Sequence, residues 1–112
     1  GLGIGDIGSV VIKDRKELSE EGVVVVSVAI DFANRKLLNN PDVISRGFVN
    51  INESMELFAE CKAIIKTAVL DALKEENTGV YHMRQCIVES LGEFLENEIG
   101  RKPVILPTIL EV

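Results

Sequence analysis

The chain has 112 residues, a net charge of −6 at neutral pH, 46% apolar residues and only 4% aromatic ones. That is room for one domain able to bury roughly two-thirds of its unfolded surface, around a core of Val, Ile, Leu and Ala rather than large rings. An acidic chain without a basic run is poorly suited to hold nucleic acid alone, because that affinity comes from neutralising phosphates, so a protein partner is expected.

One His and two Cys, Cys61 and Cys86, far apart and in no paired spacing, cannot assemble a zinc framework. The longest apolar run, Val23 to Ile30, is far short of the roughly 20 residues that cross a bilayer. A reducing cytoplasm with no membrane contact is the expected setting.

The chain opens without a methionine on a glycine-rich stretch, residues 1–8, and reads as one piece of a larger protein: a linker end, then a domain over 9–112. Gly3-Ile4-Gly5-Asp6-Ile7-Gly8 spells G-x-G-x-x-G, but that fingerprint needs a strand before it and a helix after it. Here nothing precedes it and a strand-like segment follows, so it reads as a linker or turn. Ser9 to Lys13 forms that strand, followed by a charged turn region ending in Glu20-Glu21-Gly22.

Val23 to Phe32, rich in β-branched residues, is the strongest strand. Asn34 and Asn39-Asn40-Pro41-Asp42 supply turn chemistry on either side of a short Lys36-Leu37-Leu38 segment. A third strand-like run spans Val43 to Ile51. Within it Ser45-Arg46-Gly47 suggests a bulge carrying a structural Arg, with Arg46 as a candidate contact to phosphate or to an interface carboxylate.

After Asn52 the apolar period changes from two to about 3.6. With Asn52 or Ser54 as cap and Glu53 and Glu56 in the first turn, a helix is expected to about Glu75, with Leu57, Phe58, Cys61, Ile64, Ile65, Ala68, Val69 and Ala72 on one face. Asn77-Thr78-Gly79 breaks it. A second helix from about Val80 aligns Val80, Met83, Ile87, Leu91, Phe94 and Leu95, and Gly100 followed by Pro103 ends it. Val104 to Leu110 is the last strand, and Pro107 argues for an edge or a bulge.

The expected fold class is therefore α+β, a three- or four-stranded mixed sheet with two consecutive helices packed on one face. Val24, Val26, Val28 and Ile30 form one side of the central strand; Val23, Val25, Ser27 and Ala29 form the other, smaller but still largely apolar. Two helices cannot cover both. Either the second side packs against a second copy or the parent protein, with Val23, Val25 and Ala29 as the candidate association face, or a further strand closes it. Leu70, amid Ala59, Ala63 and three lysines on the first helix, is a second candidate for self-association.

The residues offer little chemistry. Glu89, Glu93 and Glu96 share a helical face, but a helical di-metal site also needs His and partners on other helices, so a solvated acidic ridge is the reading. Cys61 is a small core residue, Cys86 lies at a helix margin, and neither is read as having a base nearby in sequence. Arg15 with Lys13 and Lys16, and Arg101 with Lys102, form a modest basic area or ordinary surface charge.

Three blocks taken together resemble one family. Residues 1–8 followed by Ile12 to Gly22, then Pro41 to Val49, then Arg101 to Val112 are similar, in order and interval, to the C-terminal region of ribonuclease J. The resemblance implies a bacterial, cytoplasmic metallo-β-lactamase and β-CASP nuclease as parent. That parent cleaves RNA internally and from the 5′ end, in messenger decay and ribosomal RNA maturation, using two metal ions, usually zinc, held by a cluster that includes H-x-H-x-D-H. None of that motif is in this chain. The implied role is an assembly domain, inactive alone, that forms a homo-oligomer or a heteromer with a ribonuclease J paralogue and meets RNA through the parent enzyme. The alternative is an independent RNA-binding or regulatory α+β module.

Overall fold

The structure is a computed structural model and describes residues 22–47 and 54–112. The expected first strand at Ser9 to Lys13, the glycine-rich opening, Arg15, Asn52 and the tail of the third strand beyond Gly47 lie outside the described residues.

Four strands and two helices follow in the order β1 (Val23–Asp31), β2 (Lys36–Leu37), β3 (Asp42–Arg46), α1 (Met55–Leu73), α2 (Val80–Ile99) and β4 (Val104–Glu111). This is the α+β arrangement expected, with a mixed sheet. β1 is bonded to all three other strands. β4 runs parallel to it from Val23 to Ile30, while β2 and β3 pair antiparallel with successive stretches, Ile30–Asp31 and Val23–Ser27. Because β4 occupies one edge of β1 throughout, β2 and β3 share the other edge end to end.

The β1–β2 reversal is built by Asp31 and Asn34. The Asp31 carboxylate accepts hydrogen bonds from the Asn34 side chain at 2.7 Å and its backbone N–H at 3.1 Å, an Asx-type turn. Those bonds, the side-chain one foremost, hold the carboxyl below its ordinary pKa.

Among the described residues β3 covers Asp42–Arg46, the first part of the run expected from Val43 to Ile51. Its register with β1 is regular through Val24↔Ser45 and Val23↔Arg46, and Gly47, a turn residue, follows at φ 88°. The register shows no bulge up to Arg46, glycine at position 47 has ready access to positive φ, and the pairing beyond it lies outside the described residues.

Of the two candidate caps for α1, Ser54 serves. Its Oγ accepts from the Leu57 N–H at 3.2 Å, satisfying one donor that the first turn leaves free. At the other end Thr78 Oγ1 lies 2.6 Å from the Ala72 carbonyl, so a side chain beyond the helix donates to a carbonyl of its last turn. α2 closes on Gly100 at φ 66°, whose N–H donates to the Glu96 carbonyl. This is the left-handed C-terminal residue that glycine adopts most readily.

Both helices lie on the even-numbered side of β1. Val24, Val26 and Ile30 are fully buried, against Cys61, Ile65 and Val69 of α1 and Met83, Ile87, Leu91 and Leu95 of α2. Burying each such side chain contributes about 1.5–3 kcal/mol, so this layer supplies most of the stabilisation. In β4 the amides of Val104 and Val112 donate to the carbonyls of Gly22 and Ile30. Even-numbered residues there point their backbone at β1, and Pro107 points its donor-less nitrogen away from the ladder. The edge position expected from this proline is thus the one it occupies.

Two glycines of α2 should respond oppositely to the same change. An added Cβ at Gly92 would meet Ile105 Cδ1 at an ordinary 3.5 Å, whereas at Gly100 it would touch nothing but sit at φ +66°. Gly92→Ala is expected to raise stability by up to about 1 kcal/mol through helix propensity, and Gly100→Ala to lower it by about 1 kcal/mol. Urea denaturation of the two variants checks both signs.

Candidate functional site

The odd-numbered side of β1 has no element over it among the described residues. Pairing across the sheet arranges this side in rows. Arg46, Val23 and Val104 form one row, Ile44, Val25 and Leu106 the next, and Asp42, Ser27 and Thr108 the third. Beyond them Ala29 lies beside Leu110, with the Leu38 N–H bonded to the Ala29 carbonyl. Ile44 and Leu106 are each about two-fifths exposed and Leu110 63% exposed, while the even side of the same strand is closed to solvent. The candidate association residues Val23, Val25 and Ala29 are brought together here, half-buried. Ile44, Leu106 and Leu110 complete the surface. Their membership follows from strand pairing, which no local pattern in the sequence specifies.

Leu70 does not belong to this surface. It lies on α1, in the opposite layer, 40% exposed, in a shallow hollow with Arg35, Thr67, Asp71 and Lys74. Among the described residues Arg35 is one of two non-glycine residues with positive φ.

The candidate cationic residues fall at one end of the sheet. Arg46 and Val104 flank Val23 on either side, so Arg46 and the Arg101-Lys102 segment that leads into β4 are neighbours in the fold. Lys102 Nζ is 3.5 Å from Glu96 Oε1. Arg46 donates from Nη1 to the carbonyl of its own neighbour Ser45 at 3.1 Å. Asp42 Oδ1 accepts from the Val43 N–H at 3.1 Å. Neither side chain is in an ion pair among the described residues.

One cluster was missed by the sequence reading. His82 lies one helical turn before Cys86, a visible i, i+4 spacing, and its Nε2 is 3.6 Å from Cys86 Sγ. The same Nε2 is 2.7 Å from Glu75 Oε2, so the view that neither cysteine has a base nearby is corrected. The geometry is still not that of an activated nucleophile. A relay uses one ring nitrogen toward the nucleophile and the other toward the carboxylate, and here a single nitrogen meets both. Partial burial and the charges of Glu75 and Glu89 push the Cys86 thiol up, away from the thiolate that reacts. The cluster joins the end of α1 to the first turn of α2.

Glu89, Glu93 and Glu96 are exposed along α2, and no group of three or more His, Cys, Asp or Glu among the described residues could hold a metal ion. The one imidazole is already bonded to Glu75. The donor set of the described residues does not fit the two-metal centre that the family resemblance implies for the parent. No helix is long and apolar enough to cross a membrane among the described residues.

These features define a small α+β domain with one helix-covered sheet face and one apolar face left open among the described residues. Residues 10–112 match the family described as the ribonuclease J C-terminal domain, and the chain belongs to that family. It is 36% identical over its whole length to ribonuclease J2 of Bacillus subtilis (strain 168). It is 39% identical over 110 residues, 98% of its length, to ribonuclease J 1 of Streptococcus pyogenes serotype M3. Ribonuclease J 2 of Staphylococcus aureus (strain NCTC 8325 / PS 47) is 33% identical over the full chain. In each case the chain spans 20% of the relative's length.

Cys61 is fully buried, and burial foremost, with Glu60 nearby, pushes its thiol from 9.0 up to about 11. A thiol whose folded pKa exceeds its unfolded one keeps its proton longer in the native state. Stability is therefore expected to be unaffected below about pH 9 and to fall as pH climbs from 9 towards 11. Urea denaturation at those two pH values checks the sign, and Cys61→Ala should flatten the slope. With a thiol reagent at pH 8, only Cys86 should react before unfolding.

Proposed function

We propose that this chain is the C-terminal assembly domain of a ribonuclease J enzyme, with the open apolar sheet face as its association surface. The observation that carries the reading is the row Ile44, Val25 and Leu106, apolar and solvent-accessible, with Ala29 and Leu110 beyond the row Asp42, Ser27 and Thr108, on a sheet whose other face is packed against the helices. Exposed apolar side chains gathered on one sheet face and bordered by polar ones mark contact with another domain or subunit. The partner is a second copy or a ribonuclease J paralogue.

The parent would carry the chemistry: internal and 5′-to-3′ cleavage of RNA in messenger decay and ribosomal RNA maturation, by water activated at two metal ions, in the cytoplasm. This domain supports that chemistry through assembly and has no nuclease activity alone. The metal ligands belong to the parent, since the donor set here does not fit them.

A second reading, an RNA-binding module, draws on Arg46 and the Arg101-Lys102 segment at one end of the sheet. The net charge of −6 and the exposed glutamates of α2 weigh against it, because binding driven by phosphate neutralisation needs a net cationic surface.

Sedimentation of the chain across concentration is expected to show reversible association, and Leu106→Asp to shift it to monomer with an unchanged far-UV spectrum. Tight binding to single-stranded RNA that falls steeply with salt would instead favour the second reading.

A further inference from the structure

Resting on the assembly reading above, we infer that the open face takes a second copy of this chain in one two-fold register: Ile44, Val25 and Leu106 stack on their own equivalents, and Asp42 of each copy meets Arg46 of the other.

β3 alternates between the packed face of the sheet and the open one. Its outward side chains are Asp42, Ile44 and Arg46, all exposed, so an apolar residue is flanked at equal distance by opposite charges, each about 7 Å away along the strand. A two-fold interface uses the same patch on both partners, so residue i meets j where j meets i. Rotation about an axis lying along the row Ile44–Val25–Leu106 reverses the strand direction in the second copy. It sets the row Arg46–Val23–Val104 over Asp42–Ser27–Thr108. The central row packs on itself and both flanking charges acquire a partner of opposite sign.

Distances suit the pairing. Stacked sheets lie about 10 Å apart and cross at about 30°, which at 7 Å from the axis displaces the charged pair sideways by only about 4 Å, within the sweep of an arginine side chain. Both groups are available for it. Asp42 and Arg46 hold only local backbone hydrogen bonds and no ion pair among the described residues.

The competing register moves the axis one row, onto Asp42–Ser27–Thr108. It would lay Ile44, Val25 and Leu106 over Leu38, Ala29 and Leu110, which is favourable apolar contact. It would also put Asp42 against Asp42 on the axis and Arg46 over Lys36, the residue paired with Asp31 two rows further along. Like charges facing each other select against a register strongly, because both pay desolvation without compensation. Charge therefore decides between two registers that apolar contact alone would leave open.

Sedimentation of charge-reversed chains tests it. Asp42→Arg and Arg46→Asp should each weaken self-association by about 10-fold or more, since symmetry counts each repulsion twice. Mixing the two variants should restore it to within about three-fold of the original chain, as a heterodimer in which both pairs are again opposite in sign. Unchanged association of either single variant, failure of the mixture to associate, or tighter association of Asp42→Arg overturns the register, while loss on Leu106→Asp still upholds the face. If the original chain stays monomeric, or Leu106→Asp leaves association intact, the assembly reading itself falls and the register with it.

Discussion

Everything in this domain hangs on β1 being bonded along both edges. A strand with neighbours on each side has no backbone donor or acceptor left for water or for a partner, and its side chains alternate strictly between two faces. Val24, Val26, Val28 and Ile30 take one face, where α1 and α2 close over them. The residues between them are thereby committed to the other face, whatever lies there. The open apolar surface is thus a geometric consequence of a valine-rich central strand served by one helical layer.

The helices are placed by the connection as much as by their own apolar stripes. β3 runs antiparallel to β1 and β4 parallel to it, so the chain must travel from one edge of β1 to the other between Arg46 and Val104. A hairpin cannot make that crossing; α1 and α2, joined by a short turn, do so over one face. Thr78 ties the turn to the end of α1, and His82 ties the start of α2 to the turn through Glu75. Both helices are consequently spent on the same side, and none is available for the other.

Much of this was legible in the sequence because the signals were local. Ser54 as cap, Gly100 as terminator and the 3.6-residue apolar period of both helices each act within a turn or two. The two unequal sides of β1 follow from alternation alone. What was not legible depends on pairing between distant segments. Nothing near Leu106 or Ile44 says that they flank Val25, and Leu70, an exposed apolar residue of similar appearance, falls in the opposite layer. The positive φ of Gly47 leaves no mark on composition, because apolar residues run on past it in the sequence. The spacing of His82 and Cys86 was readable and was passed over because the cysteine was weighed without its helical neighbours.

The edges of the sheet explain why association through its face is the more economical route. A free strand edge invites further strands, and proteins blunt such edges with proline, short strands and charge. Here the outer edge of β4 carries Pro107, whose nitrogen points outward with no hydrogen to donate, so a strand added there would lose a bond in mid-ladder. The opposite edge is divided between the two residues of β2 and the five of β3, too short to template a long pairing. With both edges blunted and one face packed, the remaining face is the surface whose burial would remove apolar area from water without requiring any backbone bond. A surface of that kind is non-directional, which leaves orientation to its few charges, and Asp42 and Arg46 sit symmetrically about the apolar row that such a contact would bury.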